Sequence, residues 1–230
     1  MKAILLAAGF GTRLRPITDT IPKCLVPING RPLLDIWLER LSISGFNNFL
    51  VNSHYLSHQV AYYLHNSAYL KQVLLVHEPE LLGTAGTLIE NLSFYNGEDG
   101  LMLHADNYCE ADFIEFRQAH NNRPEECVMT MMTFRASNPS SCGVVELDER
   151  GVVVGFHEKV EFPPGSMANG AIYLLSNQLL IDLKFKYPGI KDFSTEVLPD
   201  FVGRIFTYEC GGVLVDIGTP EAYKAVCNEF

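Results

Sequence analysis

The sequence predicts an α/β fold: a doubly wound, mostly parallel, Rossmann-like mixed sheet with helices on both faces and a small added β-element. Three observations carry this expectation. Through residue 134, short apolar runs alternate with amphipathic stretches of helical period, the pattern of successive βα units. Beyond it, two apolar runs flank Asp148-Glu149-Arg150-Gly151, a hairpin signal that breaks the alternation. No repeat, low-complexity segment or Gly/Ser/Pro-rich linker divides the 230 residues, so a single domain over 1–230 is expected.

In chain order, Lys2–Ala8 reads as a strand running straight into a glycine turn. Helix Leu33–Ser44, strand Phe49–Asn52, helix Leu56–Asn66, strand Gln72–His77 and helix Thr84–Leu92 follow. Strand Leu101–Ala105, helix Phe113–His120 and strand Cys127–Phe134 complete the alternating half. Gly143–Leu147 and Val152–His157 then pair across the hairpin turn, and Ala171–Leu175, Arg204–Glu209 and Val213–Val215 supply further strands. Ligands of such a sheet bind at the carboxyl ends of its strands.

Composition narrows the function classes. With 47% hydrophobic and 19% charged residues the chain can bury a large core, and its net charge of −10 argues against a general affinity for nucleic acid or an anionic membrane. The charge is unevenly spread: residues 1–31 hold five bases (Lys2, Arg13, Arg15, Lys23, Arg31) and one acid (Asp19), a segment of +4 that leaves −14 for the remainder. Such a local positive site suits a small anionic ligand captured with a metal ion, although five bases on a solvated face would read the same. Six cysteines lie at scattered spacings without a metal-ligand pattern, which points to reduced thiols in a cytoplasm. No apolar run approaches the roughly 20 residues of a membrane span, and Ala3–Ala8 lacks a cleavage-type end, so a soluble cytoplasmic protein is expected.

The turn Gly9-Phe10-Gly11-Thr12-Arg13 brings backbone N–H groups and a guanidinium to where a phosphate can sit. It is neither a Walker loop, since the chain has no Gly-Lys pair, nor a dinucleotide fingerprint, since Leu14 takes the place of the third small residue. Arg13 can fork onto a β/γ-phosphate pair, and Lys23, stiffened between Pro22 and Pro27, can face a crowded α-phosphate. Arg15, before Pro16, is left open between phosphate and solvent. Asp106 and Asp216 each end an apolar run, and such a pair can hold one Mg²⁺ against triphosphate oxygens or, taken singly, cap the helices that follow. Leu82-Gly83-Thr84-Ala85-Gly86 opens a helix with small residues, either a base-reading loop or a plain helix start. Gly143, Glu158-Lys159 and Asn169 offer a carboxylate, an amide and an ammonium for a sugar phosphate; an exposed Glu/Lys pair is the alternative. His54, His58 and His65 read as a wet helix face rather than a ligand set.

Gly9-x-Gly-Thr-Arg-Leu-x-Pro16 followed by Pro22-Lys-x-x-x-Pro27 resembles the signature of the sugar-1-phosphate nucleotidyltransferases, in particular the short guanylyltransferases for mannose-type and heptose-type 1-phosphates. The resemblance runs from Met1 to about Ala225 and includes Asp216-Ile-Gly-Thr-Pro220. It implies a nucleotide site at Ala7, Gly9, Gly11, Thr12, Gly83, Thr84 and Gly86, with Arg13 and Lys23 catalytic. It also implies Mg²⁺ on Asp106 and Asp216, and a sugar site at Asn107, Gly143, Glu158, Lys159 and Asn169. Three departures stand out: Ala105 replaces the family's glycine before the first aspartate, the tryptophan two residues before Asp216 is missing, and Val160 replaces the proline of Glu-Lys-Pro. The implied partners are a nucleoside triphosphate, GTP by the Leu-Gly-Thr-Ala-Gly loop, and a sugar 1-phosphate of mannose or manno-heptose type. Uridylyl or thymidylyl transfer to another or an amino sugar phosphate, and a metal-dependent glycosyltransferase of similar fold, remain alternatives. A glycosyltransferase would want Asp-x-Asp, where Asp106-Asn107-Tyr108 stands. The oligomeric state is open, a homodimer included.

Overall fold

The structure, a computed structural model, describes residues 1–229. Among these, nine of thirteen strands take part in mixed parallel and antiparallel sheet pairing and seven α-helices accompany them, the expected α/β class. The chain forms two compact units interleaved along the sequence. The first holds Met1–Leu81, Leu103–Phe113 and the segment from Gly212; the second holds Leu82–Met102 and Ile114–Gly211.

In the first unit, Lys2–Leu6, Asn48–Ser53 and Val73–His77 run parallel, from Lys2↔Asn48 to Leu5↔Val51 and from Phe49↔Val73 to Ser53↔His77. Ile4, Leu5, Phe49, Leu50 and Val51 are fully buried, as continuous apolar runs in a sheet covered on both faces should be. Helix Leu33–Ile43 buries Leu33, Leu34, Trp37, Leu38 and Leu41, one stripe at helical spacing. A Schellman turn stops it: Gly45, at φ 82°, donates its N–H to Ser42 O at 3.1 Å, and Phe46 N–H reaches Leu41 O at 2.9 Å.

Two small β-elements belong to this unit. Pro27–Ile28 pairs with Arg31–Pro32 around Asn29 (φ 49°) and Gly30 (φ 83°), an Asn-Gly turn whose paired positive φ values match the twist of a tight hairpin. Leu214–Asp216, close to the expected Val213–Val215, forms an antiparallel ladder of its own with Asn107–Cys109 and sets Asp216 opposite Asn107. This register brings together carboxylates that stand far apart in sequence.

In the second unit, Met129–Arg135 lies between Ile205–Glu209, parallel to it, and Met167–Leu175, antiparallel. Gly143–Leu147 and Val153–Glu158 form the expected hairpin, with Asp148 N–H on Val152 O at 2.9 Å. The strand expected at Ala171–Leu175 begins earlier, at Met167, because its register shifts between Asn169 and Tyr173 and hides the alternation of its first half. Helix Asn177–Lys186, outside the sequence expectation, is capped by Ser176 Oγ, which accepts the Leu179 N–H at 3.2 Å.

His120 is fully buried in the second unit, with Thr130 Oγ1 at 2.8 Å from Nδ1 and Asp99 Oδ2 at 3.3 Å from Nε2. Burial holds its pKa below the ordinary 6.5, against the opposing pull of Asp99, and a neutral ring that donates to Asp99 and accepts from Thr130 satisfies both contacts. The unfolded chain therefore binds a proton that the folded one resists, so stability is full above about pH 6.5 and is lost as the pH falls through the folded value. Chemical denaturation at about pH 7.5 and about pH 5.5 should show a larger loss for the native chain than for His120→Gln. Equal losses would contradict this account.

Candidate functional site

The Gly9–Arg13 turn adopts the conformation that its glycines permit. Gly11 sits in the left-handed region at φ 64°, ψ 28°, and opens the 3₁₀ turn Thr12–Leu14. A Cβ there would come within 2.9 Å of Thr18 Cγ2 and 3.2 Å of Lys23 Cβ. Thr18 Oγ1 donates to Gly11 O at 2.7 Å, and buried Leu14 anchors the turn, which leaves Thr12 and Arg13 exposed.

Lys23 starts a further 3₁₀ turn, Lys23–Leu25, behind Pro22 in extended geometry. Cys24, Leu25 and Val26 are buried, so the segment is fixed by its core side while the lysine is held in place. Tyr223 Oη adds a bond to Pro27 O at 2.6 Å. Burial, with Asp106 beside it, pushes the Cys24 thiol up to about 12, so this cysteine stays protonated and is no nucleophile.

Four predicted residues meet in the first unit. Lys23 Nζ donates to Asp106 Oδ2 at 2.8 Å and to Asp216 Oδ1 at 2.9 Å, while Arg13 Nη2 donates to Asp216 Oδ2 at 2.9 Å. The Lys23 side chain is 7% exposed, against 47% for Asp216 and 68% for Arg13. Burial pushes the Asp216 carboxyl up, but the Lys23 ammonium and the Arg13 guanidinium outweigh it and hold the group below the usual carboxylate range. Gly218 keeps the pair close: a Cβ there would lie 2.7 Å from Arg13 Nη2 and 2.9 Å from the Asp216 oxygens. Two carboxylate oxygens that converge on one ammonium are hard donors able to face one divalent cation, so Asp106 and Asp216 fit the predicted Mg²⁺.

Arg15 and Arg31 make their ion pairs elsewhere. Arg15 pairs with Asp19 at 3.1 Å, and Arg31 with Asp35 at 2.7 Å and Glu39 at 2.8 Å. At the carboxyl ends of the parallel strands lies a polar chain that the sequence pattern does not announce. Ala7 N–H donates to Asn52 Oδ1 at 2.6 Å, and Asn52 Nδ2 donates to Glu78 Oε1 at 2.8 Å, with Glu78 2% exposed. His54 Nδ1 lies 2.7 Å from Glu78 O and its ring stands edge-on to Phe10 at 5.3 Å, consistent with a structural rather than a metal role.

The remaining predicted residues belong to the second unit, except Asn107, whose backbone O accepts Trp37 Nε1–H at 2.8 Å in the first. Gly83, at φ 80°, and Gly86 make room for the chain at Ile190 and Lys191, and the Ala85 N–H donates to Lys191 O at 2.9 Å. Thr84 Oγ1 accepts the Phe193 N–H at 2.8 Å. The small residues of this loop thus have a packing role. Glu158 pairs with Lys159 Nζ at 3.3 Å, and a Cβ on Gly143 would lie 2.5 Å from Glu158 Oε2. Asn169 is engaged locally, donating to Tyr173 Oη at 2.7 Å and accepting the Ala171 N–H at 2.9 Å.

Known proteins show which family the chain resembles. The nucleotidyl transferase family model matches residues 2–229. The chain is 31% identical over 228 residues to the mannose-1-phosphate guanylyltransferase catalytic subunit beta of Drosophila melanogaster, covering 96% of this chain and 60% of that protein. The corresponding Xenopus tropicalis protein is 30% identical over 230 residues, covering 97% and 62%. The chain thus spans about three fifths of the length of these curated relatives. In fold it is similar to HddC from Yersinia pseudotuberculosis, with a TM-score of 0.84 and 24% identity over 100% of this chain and 99% of that one. HddC has also been solved with GMP-PN, at a TM-score of 0.83. Among the described residues no helix is long and apolar enough to cross a membrane. With the family model matching residues 2–229, nearly its whole length, the chain belongs to the nucleotidyl transferase family.

Proposed function

We propose that the chain transfers GMP from GTP to the 1-phosphate of mannose or a manno-heptose, releasing pyrophosphate. The observation that carries this reading is the convergence of Arg13, Lys23, Asp106 and Asp216 beside the left-handed Gly11 turn. An oxygen of the sugar phosphate attacks the α-phosphorus of the triphosphate. The bond from that phosphorus to the bridging oxygen breaks, and pyrophosphate leaves with the electron pair. The attacking oxygen is already anionic, so no general base is required and catalysis reduces to positioning and charge neutralisation. Lys23, on a backbone fixed by its buried neighbours, offsets charge at the α-phosphate, and Arg13, largely exposed, follows the leaving pyrophosphate. A Mg²⁺ ion on Asp106 and Asp216 would supply charge neutralisation of the triphosphate oxygens. Ala7, Gly9, Gly11 and Thr12 line the approach to the phosphates. By resemblance, Gly83, Thr84 and Gly86 serve the base, while Asn107, Gly143, Glu158, Lys159 and Asn169 serve the sugar.

The names of the relatives support guanine and mannose 1-phosphate. A pocket that pairs with guanine's amide and amino group rejects adenine, whose edge would leave buried donors and acceptors unpaired. Six free cysteines suit the reducing cytoplasm. The test is a matrix of four triphosphates against several sugar 1-phosphates, scored by kcat/KM for pyrophosphate release. GTP with a manno-configured phosphate should lead. A higher value for UTP or dTTP with any sugar phosphate would replace the guanylyl reading with the uridylyl or thymidylyl one.

A further inference from the structure

Both oxygens of Asp216 are occupied by this chain's own cations, Oδ1 by Lys23 and Oδ2 by Arg13, and the same ammonium also holds Asp106 Oδ2. A divalent cation that used both carboxylates would have to take an Asp216 oxygen that Lys23 or Arg13 now bonds, beside an ammonium seated between the two aspartates. The Lys23 side chain is 7% exposed and its segment is fixed by buried Cys24, Leu25 and Val26, so the ammonium cannot simply swing into water. The charges point the same way. Two carboxylates and two side-chain cations are balanced, and a divalent ion alone would leave the cluster at +2 in a partly buried place. A triphosphate arriving with the ion brings its own negative charge and gives Lys23 and Arg13 new partners.

We infer that Lys23 is a built-in competitor for the metal position: its bond to both aspartates keeps free divalent cation out, and a triphosphate admits the ion by drawing the ammonium away. Metal and nucleotide then bind with positive coupling, each raising the affinity for the other by the same factor. This rests on the reading of Asp106 and Asp216 as the metal carboxylates. Lys23 therefore has a positioning role in the nucleotide-free protein besides its role at the α-phosphate.

The test is a Mn²⁺ titration of the nucleotide-free full chain, following the electron paramagnetic resonance signal of unbound Mn²⁺, and a repeat with α,β-methylene-GTP. Lys23→Met should bind Mn²⁺ at least about tenfold more tightly than the native chain without nucleotide, and the gain that the analogue gives should shrink by a similar factor. Lys23→Gln, which keeps polar reach but loses the charge, should behave likewise, and Lys23→Arg should retain the weak binding. Adding Asp106→Asn to Lys23→Met should abolish the tight binding. An unchanged or lower Mn²⁺ affinity in both neutral variants, or tight binding that survives Asp106→Asn, would overturn the competition. If instead Asp106→Asn and Asp216→Asn, alone, left Mn²⁺ binding with the analogue at the native level, the metal reading itself would fail and the inference with it.

Discussion

Asp216→Asn should lower turnover about 10³-fold, a loss of ~4 kcal/mol of transition-state stabilisation, while the fold persists. The substitution keeps the shape of a half-exposed side chain and its place opposite Asn107 in the ladder. It removes the charge that binds Lys23 and Arg13 and that would face the metal. Circular dichroism and thermal unfolding should stay near native, whereas kcat measured over a range of Mg²⁺ concentrations should collapse and not recover at high metal. Near-native Mg²⁺-dependent turnover would remove Asp216 from the site.

Lys23→Ala should cut kcat by about 10²–10³, the scale seen when one preorganised donor is removed from a developing charge. The reason lies in its mounting: Pro22, the 3₁₀ turn and three buried neighbours fix the backbone at Lys23, so its ammonium has only to pass from the two aspartates to the α-phosphate when the triphosphate arrives. An interaction strengthened in the transition state appears in kcat, whereas one that only binds triphosphate appears in KM. Steady-state kinetics with both substrates varied separates the two. A raised KM for triphosphate with kcat untouched would make Lys23 a binding residue only.

Much of this was legible in the sequence, because local pattern and site chemistry agree in the first 31 residues. The apolar run ending at Ala8, the glycine at position 11 and the two prolines around Lys23 each force a backbone feature that the structure carries. Asp216 was legible as a carboxylate at the end of an apolar run. Its meeting with Asp106 depends on the three-residue ladder with Asn107–Cys109, too short to show a period. The Asn52–Glu78 bond was hidden for another reason, since burial of a carboxylate follows from tertiary contact and leaves no local mark. The Leu82–Gly86 loop shows the opposite limit. Its glycines suggested close approach of a ligand, and the structure brings the chain at Lys191 against it. Helix Asn177–Lys186 escaped because its ten residues carry only three buried positions, Leu179, Leu180 and Leu183.

The central claim is that the Arg13, Lys23, Asp106 and Asp216 cluster breaks a triphosphate between its α and β phosphates, on attack by a sugar phosphate. Its most direct test is product analysis with GTP labelled at the α and γ phosphates, mannose 1-phosphate and Mg²⁺. The account predicts that the α label appears in GDP-sugar and the γ label in pyrophosphate, in equal amounts, with neither released when sugar phosphate or metal is left out. Inorganic phosphate and GDP as products, or pyrophosphate formed without any sugar phosphate, would contradict it.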